Sequence, residues 1–190
     1  MKLRTLPVIA IIGALGIAAC GSDDTASPST QTNQVVFNEA DVVFAQGMIS
    51  HHEQAIEMAD IALDPTIGAG EQVRDLATRI KGGQDPEIIL MTGWLAAWDQ
   101  PMQMDSSDGH DMSSMEGMMS ATEMDSLGAM NGAEFDAMWL EMMIRHHGGA
   151  ILMADDVKAA GSNPDVRALA DQVIAAQKAE IAEMYELLND

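Results

Sequence analysis

The sequence DVVFAQGMISHHEQAIEMAD at residues 41–60 recurs 95 positions later, without a gap, as DAMWLEMMIRHHGGAILMAD at residues 136–155. Both copies contain the pattern Met-Ile-x-His-His-x-x-Ala-Ile-x-Met-Ala, which begins at Met48 and again at Met143. The similarity resumes after a two-residue slip, over residues 73–91 and 166–184. An internal repeat of this length indicates one supersecondary unit that is present twice.

Each copy has the periodicity of two helices. When residues 39–62 are placed on a helix, one face is apolar except for a histidine, and the opposite face is polar. The inward face holds Phe44, Met48, His52, Ala55, Ala59 and Ala62, and the outward face holds Glu39, Gln46, Ser50, Glu53 and Glu57. No sustained alternation of period two suggests strands. The sequence therefore predicts an all-α protein, an antiparallel four-helix bundle built from two repeated helical hairpins.

Capping residues mark the expected ends of these helices. Asn38 and Asn131 are suited to N-cap positions because an acidic residue follows each of them three positions later. Asn163-Pro164 and Asp85-Pro86 each place a capping residue before a proline at the first helical position, and Gly161 is suited to a helix end. Because Gly82 and Gly83 precede Pro86, the second helix is expected to kink or break there.

The first residues have the pattern of an export signal. A basic start is followed by an apolar stretch too short to span a bilayer, then by Ala18, Ala19 and Cys20. This order resembles the lipobox of bacterial lipoproteins, in which the signal is cut before a cysteine that carries the lipid. We therefore expect a signal peptide at residues 1–19, lipidation at Cys20, a flexible linker over 20–36 and a folded domain over 37–190.

Charge and cysteine content narrow the possible functions. Without residues 1–19, 7 basic residues face 30 acidic ones, a formal charge of −23 that disfavours nucleic-acid binding. Cys20 is the only cysteine, so an intrachain disulfide and a thiolate metal cluster are both excluded. Any soft metal ligand must be methionine or histidine.

The segment between the copies, residues 99–132, is predicted to be a methionine-rich loop. It is too polar for a core, yet it contains eight methionines and His110. Thioether sulfur selects for soft metals, so we expect weaker metal capture here. The candidate ligands are His110, Met102, Met104, Met112, Met115, Met118 and Met119.

The repeated His-His pair predicts a stronger metal site. Imidazole binds copper, zinc, nickel and iron, whereas thioether sulfur favours cuprous copper, so a mixed set indicates Cu(I), with other transition metals possible. Adjacent histidines diverge by about 100° on a helix, so each pair straddles the inward face. The predicted ligands form one shared or two equivalent sites: His51, His52, Met48 and Met58 from the first copy, and His146, His147, Met143 and Met153 from the second. Asp41 and Asp136 lie too far along the helices to join them and are expected to serve helix starts.

The doubled motif resembles the signature of the bacterial domain-of-unknown-function 305 family, over residues 37–190. The resemblance implies a ferritin-like four-helix bundle, export, and an association with copper in some members. Two departures from regularity are visible: Pro86 with its preceding glycines, and Gly148-Gly149 in place of Glu53-Gln54, which is expected to loosen the helix after the second histidine pair.

The favoured function is a non-enzymatic, lipid-anchored copper binder at the periplasmic face or cell surface, which sequesters Cu(I), confers tolerance or passes the ion to a partner. One alternative is a helical interaction module whose histidines are purely structural. A ferritin-like di-metal oxidoreductase is disfavoured because such enzymes use Glu-x-x-His pairs, and no glutamate stands three residues before any histidine.

Overall fold

The computed structural model describes residues 36–103 and 115–189, and the helices of both repeats lie in these ranges. Helices α1 (Glu39–Leu63) and α2 (Glu71–Ala97) form the first hairpin. Helices α4 (Gly132–Ala160) and α5 (Pro164–Asn189) form the second, and a short helix, α3 (Ala121–Gly128), precedes it. The described residues contain no strand, so the all-α prediction is confirmed. None of these helices has the length and apolarity needed to cross a membrane.

The central contact of the bundle is between α1 and α4, which run antiparallel. Helix α2 packs on α1, and α5 packs on α4, so that each hairpin contributes one inner helix to this contact. Asp41 at the start of α1 contacts Ser162 beyond the end of α4, and Gly132 at the start of α4 donates to Ile67 beyond the end of α1. Equivalent residues of the two repeats are thereby brought face to face.

Most of the predicted helix ends are confirmed. Asn38 forms a capping box with Asp41, the Asn163 side chain accepts hydrogen bonds from the backbone N–H groups of Asp165 and Val166, and Gly161 ends α4. Asn131 occupies the N-cap of α4, but its side chain makes no capping hydrogen bond.

Of the predicted kink or break at Pro86, the break is wrong, and so is the helix start at Asp85-Pro86, because α2 is one helix that contains Pro86. Gly82 and Gly83 are exposed, and the space around them is open. The inward face of α2 stays packed in the core on both sides of the proline, with Ile80 and Met91 buried. Packing of this face outweighs the helix-breaking tendency of the three residues.

The methionine-rich segment is only partly a loop. Its C-terminal part contains α3, whose first turn is closed by a capping box between Ser120 and Glu123. Met119, Met124 and Leu127 are buried in the core. The expectation that the whole segment is too polar for the core is therefore wrong for residues 119–127, because the cap and three apolar side chains suffice for one short helix.

Within the part of the chain that the structure describes, the apolar core forms two clusters. The first core cluster contains Met58 and Met143 and extends to α3, and the second contains Met48 and Met91. Along α1 and along α4, the repeated His-His pair lies between the residues of one cluster and those of the other. The two clusters thus enclose a layer of polar side chains.

Candidate metal centre

Four histidines form this layer, which we call the histidine layer: His51, His52, His146 and His147. All four have no exposed surface. The rings of His51 and His146 lie in contact across the α1–α4 interface, with centroids 3.8 Å apart and planes inclined by 43°. The centroids of His146 and His147 are 6.4 Å apart. The pairs therefore straddle the inward face as the helical spacing predicts, with one ring of each pair at the centre.

The outer histidine of each pair is held by a carboxylate. Nε2 of His52 lies 2.6 Å from Oε2 of Glu87 on α2, and Nε2 of His147 lies 2.6 Å from Oε2 of Glu180 on α5. Both glutamates are about four-fifths buried, with side-chain exposures of 22% and 20%. The two arrangements match because these glutamates occupy equivalent positions in the repeats.

Sequence reasoning missed these glutamates as parts of the site. A carboxylate at a fixed spacing on the helix of each histidine would be visible in the sequence, whereas Glu87 and Glu180 come from the neighbouring helices. A signal was nevertheless available, because the repeat aligns Gln84 and Glu87 with Gln177 and Glu180. Both glutamines are buried, and Oε1 of each lacks a hydrogen-bond partner.

Burial keeps the central imidazoles neutral. It lowers the pKa of His51 to about 3, with smaller contributions from the positive charges that His52 and His147 can carry. The backbone carbonyl of Glu116 opposes this shift slightly, although neither ring nitrogen of His51 makes a hydrogen bond of normal geometry to a described residue. Burial likewise lowers the pKa of His146 well below its usual value. Neutral imidazole is the form that binds metals.

Thioethers lie on both sides of the histidine layer. Met48 and Met91 belong to the second core cluster, and Met153 packs against it. Met58, Met143 and Met184 belong to the first. Of the eight predicted strong ligands, seven are fully buried and Met153 is partly buried. Met91 and Met184, at equivalent positions of α2 and α5, are fully buried in the same two clusters.

A short stretch of chain crosses the α1–α4 groove beside His51. We call residues 115–120 the strap. Gln54 on α1 holds it by exchanging two hydrogen bonds with the backbone of Met119. On α4, Gly149 leaves room for it, since a Cβ at that position would lie 1.9 Å from the Glu116 carbonyl oxygen. The glycine pair does not interrupt α4, which continues to Ala160.

The predicted weaker ligands are in different environments. Met102 is exposed, Met115 and Met118 are half-buried, and Met119 lies in the first core cluster. His110, Met104 and Met112 lie outside the described residues, as does Cys20. Gln46, which was expected on the solvent face of α1, is buried because it donates to the carbonyl oxygens of Pro101 and Gln103.

Three solved structures resemble the fold closely. A DUF305 protein from Streptomyces coelicolor, named as a secreted protein, is 32% identical with a TM-score of 0.72, and the match covers 79% of this chain and 92% of that chain. A DUF305 fragment from Deinococcus radiodurans is also 32% identical, with a TM-score of 0.71 and coverage of 80% and 97%. CopM in its Cu(II)-bound form is 31% identical, with a TM-score of 0.64 and coverage of 78% and 95%.

CopM is also similar to this chain in its Cu(I)-bound and silver-bound forms, each at 29% identity. No curated protein matches the sequence. The model of the family described as domain of unknown function (DUF305) matches residues 41–188, which include both histidine pairs and all of α1 beyond its first turn. The chain therefore belongs to the DUF305 family.

Proposed function

We propose that this protein is an exported, non-enzymatic copper-binding protein that holds Cu(I) in the histidine layer, for sequestration, tolerance or transfer to a partner. The proposed ligands are the four histidines, with thioether donors from Met48, Met58, Met143 and Met153. The observation that carries the proposal is a set of six buried imidazole nitrogens that have no hydrogen-bond partner among the described residues. They are Nδ1 and Nε2 of His51 and His146, and Nδ1 of His52 and His147.

Without hydrogen-bond partners, these buried nitrogens lower the stability of the folded protein. A buried polar atom without a partner typically costs about 1–3 kcal/mol, and nearly all such atoms in native proteins are paired. Each neutral imidazole has one nitrogen lone pair available to a metal. Coordination would satisfy these lone pairs, so the donor set fits a metal ion.

The donor chemistry favours copper. Within residues 36–103 and 115–189, no group of three or more His, Cys, Asp or Glu residues is arranged to hold a metal ion. A site in the histidine layer would therefore use at most two of the four histidines for one ion, in keeping with two equivalent sites, and would draw its further donors from the thioethers beside it, whose sulfur selects for Cu(I). The similarity to CopM, whose structures contain Cu(II), Cu(I) or silver, supports the same conclusion.

We further propose that the protein is exported and anchored to the cell envelope through a lipid on Cys20. Residues 1–19 have the pattern of a secretory signal that ends at a lipobox-like sequence. The Streptomyces coelicolor relative named as a secreted protein supports export. The methionine-rich segment would capture additional soft metal more weakly, through Met102, Met104, His110, Met112, Met115 and Met118, with Met119 serving the core.

The test is an anaerobic competition titration of the metal-free protein against a chromogenic cuprous chelator. We expect the wild type to withdraw Cu(I) from the chelator. Replacing His51 and His146 with Ala should weaken binding by more than about 100-fold, a greater loss than follows removal of a hydrogen-bond partner of a ligand. Replacing the exposed Met102 with Leu should leave the strong site intact.

A matched control separates ligand loss from loss of stability. Leu95→Ala removes a fully buried side chain of the second core cluster and should cost about 2–5 kcal/mol of unfolding free energy. Its copper affinity should nevertheless match that of the wild type at temperatures where it is folded. A wild type that takes no copper from the chelator would overturn the proposal and favour a structural module.

A further inference from the structure

Glu87 and Glu180 have a role that follows from the direction of their hydrogen bonds. An ionised carboxylate only accepts hydrogen bonds. At the 2.6 Å that separates Nε2 from Oε2 in both pairs, an ionised glutamate would accept a charge-assisted hydrogen bond, which requires the proton of His52 and of His147 to be on Nε2. In a neutral imidazole the lone pair then lies on Nδ1.

Nδ1 is the ring nitrogen that remains free in both outer histidines. In His52 and His147 it is buried and makes no hydrogen bond within residues 36–103 and 115–189. The central histidines differ, because no carboxylate of residues 36–103 or 115–189 holds either nitrogen of His51 or His146. In the histidine layer, a carboxylate thus fixes the orientation of the His52 and His147 rings, whereas packing holds the rings of His51 and His146.

Resting on the proposed copper site, we propose that Glu87 and Glu180 are positioning residues. They fix His52 and His147 in the Nε2–H tautomer, so that these two histidines present Nδ1 to the metal. Metal-binding histidines commonly donate their second ring N–H to a carboxylate, which sets the tautomer and makes the ligand nitrogen more basic. Here each carboxylate comes from the outer helix of the same hairpin, α2 for His52 and α5 for His147.

Because the repeat relates the two His–Glu pairs, removing either carboxylate should change the Cu(I) affinity by the same factor. The two His–Glu pairs have the same distance and nearly the same burial. Glu87→Gln and Glu180→Gln should therefore have equal effects, each lowering the Cu(I) affinity by about 10–100-fold. Glutamine keeps the shape of the side chain but can also donate, so it no longer dictates the tautomer. Glu186→Gln, at an exposed position on α5, is the matched control and should change neither affinity nor tautomer.

The first measurement uses the metal-free full-length protein, so its outcome does not depend on copper. Two-bond ¹H–¹⁵N correlation spectra of the imidazole rings should show Nε2–H tautomers at His52 and His147 in the wild type. Glu87→Gln should disturb the pattern of His52 and leave that of His147 unchanged, and Glu180→Gln should do the reverse. An Nδ1–H tautomer at either histidine of the wild type would overturn the inference.

The second measurement is the chelator competition of each variant, with circular dichroism to confirm that it is folded. A glutamine variant that binds Cu(I) as tightly as Glu186→Gln would overturn the positioning role. Failure of the copper proposal is distinguishable, since the wild type itself would then not bind Cu(I). In that case the proposed ligation of the metal by Nδ1 would also be wrong. The tautomers of His52 and His147 would still be decided by the spectra of the metal-free protein.

Discussion

At the scale of single residues, one position of the repeat contacts the strap in a different way in each copy. Gln54 of the first repeat corresponds to Gly149 of the second. The glutamine fastens the strap through the backbone of Met119, and the glycine makes space for the carbonyl group of Glu116. The departure from exact repetition is thus explained by a segment that crosses the groove between the two inner helices.

This contact predicts opposite effects for two adjacent glycines. Gly148→Ala adds a Cβ into open space and should stabilise the protein by up to about 1 kcal/mol, because alanine is the better helix former. Gly149→Ala places a Cβ 1.9 Å from a backbone oxygen, so the strap must move, and we expect a loss of about 1–3 kcal/mol. Urea unfolding measures both free energies.

Amide hydrogen exchange supplies a local control for these variants. The N–H of Met119 donates to Gln54, so it should exchange faster in Gly149→Ala and at the wild-type rate in Gly148→Ala. If both variants have the same stability and the same Met119 exchange rate, the close packing of the strap on α4 is refuted.

At the scale of helices, two aspartates join the hairpins to each other. Asp41 on α1 accepts hydrogen bonds from the backbone N–H groups of Ser162 and Asn163 before α5. Asp136 on α4 accepts from the backbone N–H of Gly70 before α2. Asp41 also caps its own helix through Asn38, whereas Asp136 serves the start of a helix in the other hairpin. Both aspartates therefore accept hydrogen bonds at helix starts, as expected, but mainly at the helix starts of the other hairpin.

Removing these carboxylates should cost unequal amounts of stability. Asp41→Ala should lower the free energy of unfolding by about 2–4 kcal/mol, because a fully buried acceptor of several backbone N–H groups disappears. Asp136→Ala removes the partner of one N–H and should cost about 1–2 kcal/mol. The exposed Asp155 on α4 offers a control with an expected effect within about 0.5 kcal/mol. Urea denaturation midpoints showing equal effects at all three positions would contradict this interpretation.

For the molecule as a whole, the buried histidine layer links stability to pH. Burial lowers the pKa of His51 from 6.5 to about 3 and that of His146 well below 6.5, so both rings take up protons more readily in the unfolded chain. Stability from this source is fully present above about pH 6.5. It decreases as pH falls, by about 1.4 kcal/mol per pH unit for each ring.

Urea unfolding of the metal-free protein between pH 6.5 and pH 5 tests this dependence, because ordinary carboxylates titrate mostly below that window. We expect the wild type to lose stability over this range, and a His51→Leu/His146→Leu variant to show a smaller slope. Equal slopes in the two proteins would show that the central imidazoles are not buried in the neutral form.

Much of the architecture follows from local information in the chain. The repeat, the helical periodicity and the caps at Asn38, Asn163 and Gly161 suffice to predict four helices in two hairpins, with the histidine pairs turned inward. These features depend on spacing within one helix or on backbone groups a few residues apart. These features can therefore be predicted from the sequence.

Only the tertiary structure determines which residues of the neighbouring helices contact these side chains. Only the antiparallel packing of α1 on α4 brings His51 against His146, and only the outer helices supply Glu87 and Glu180. Packing also kept α2 continuous through Pro86, drew the strap onto the groove and placed α3 against the first core cluster. Each of these outcomes depends on contacts between residues far apart in sequence, and the free energy of burying one surface against another overrides local propensity there.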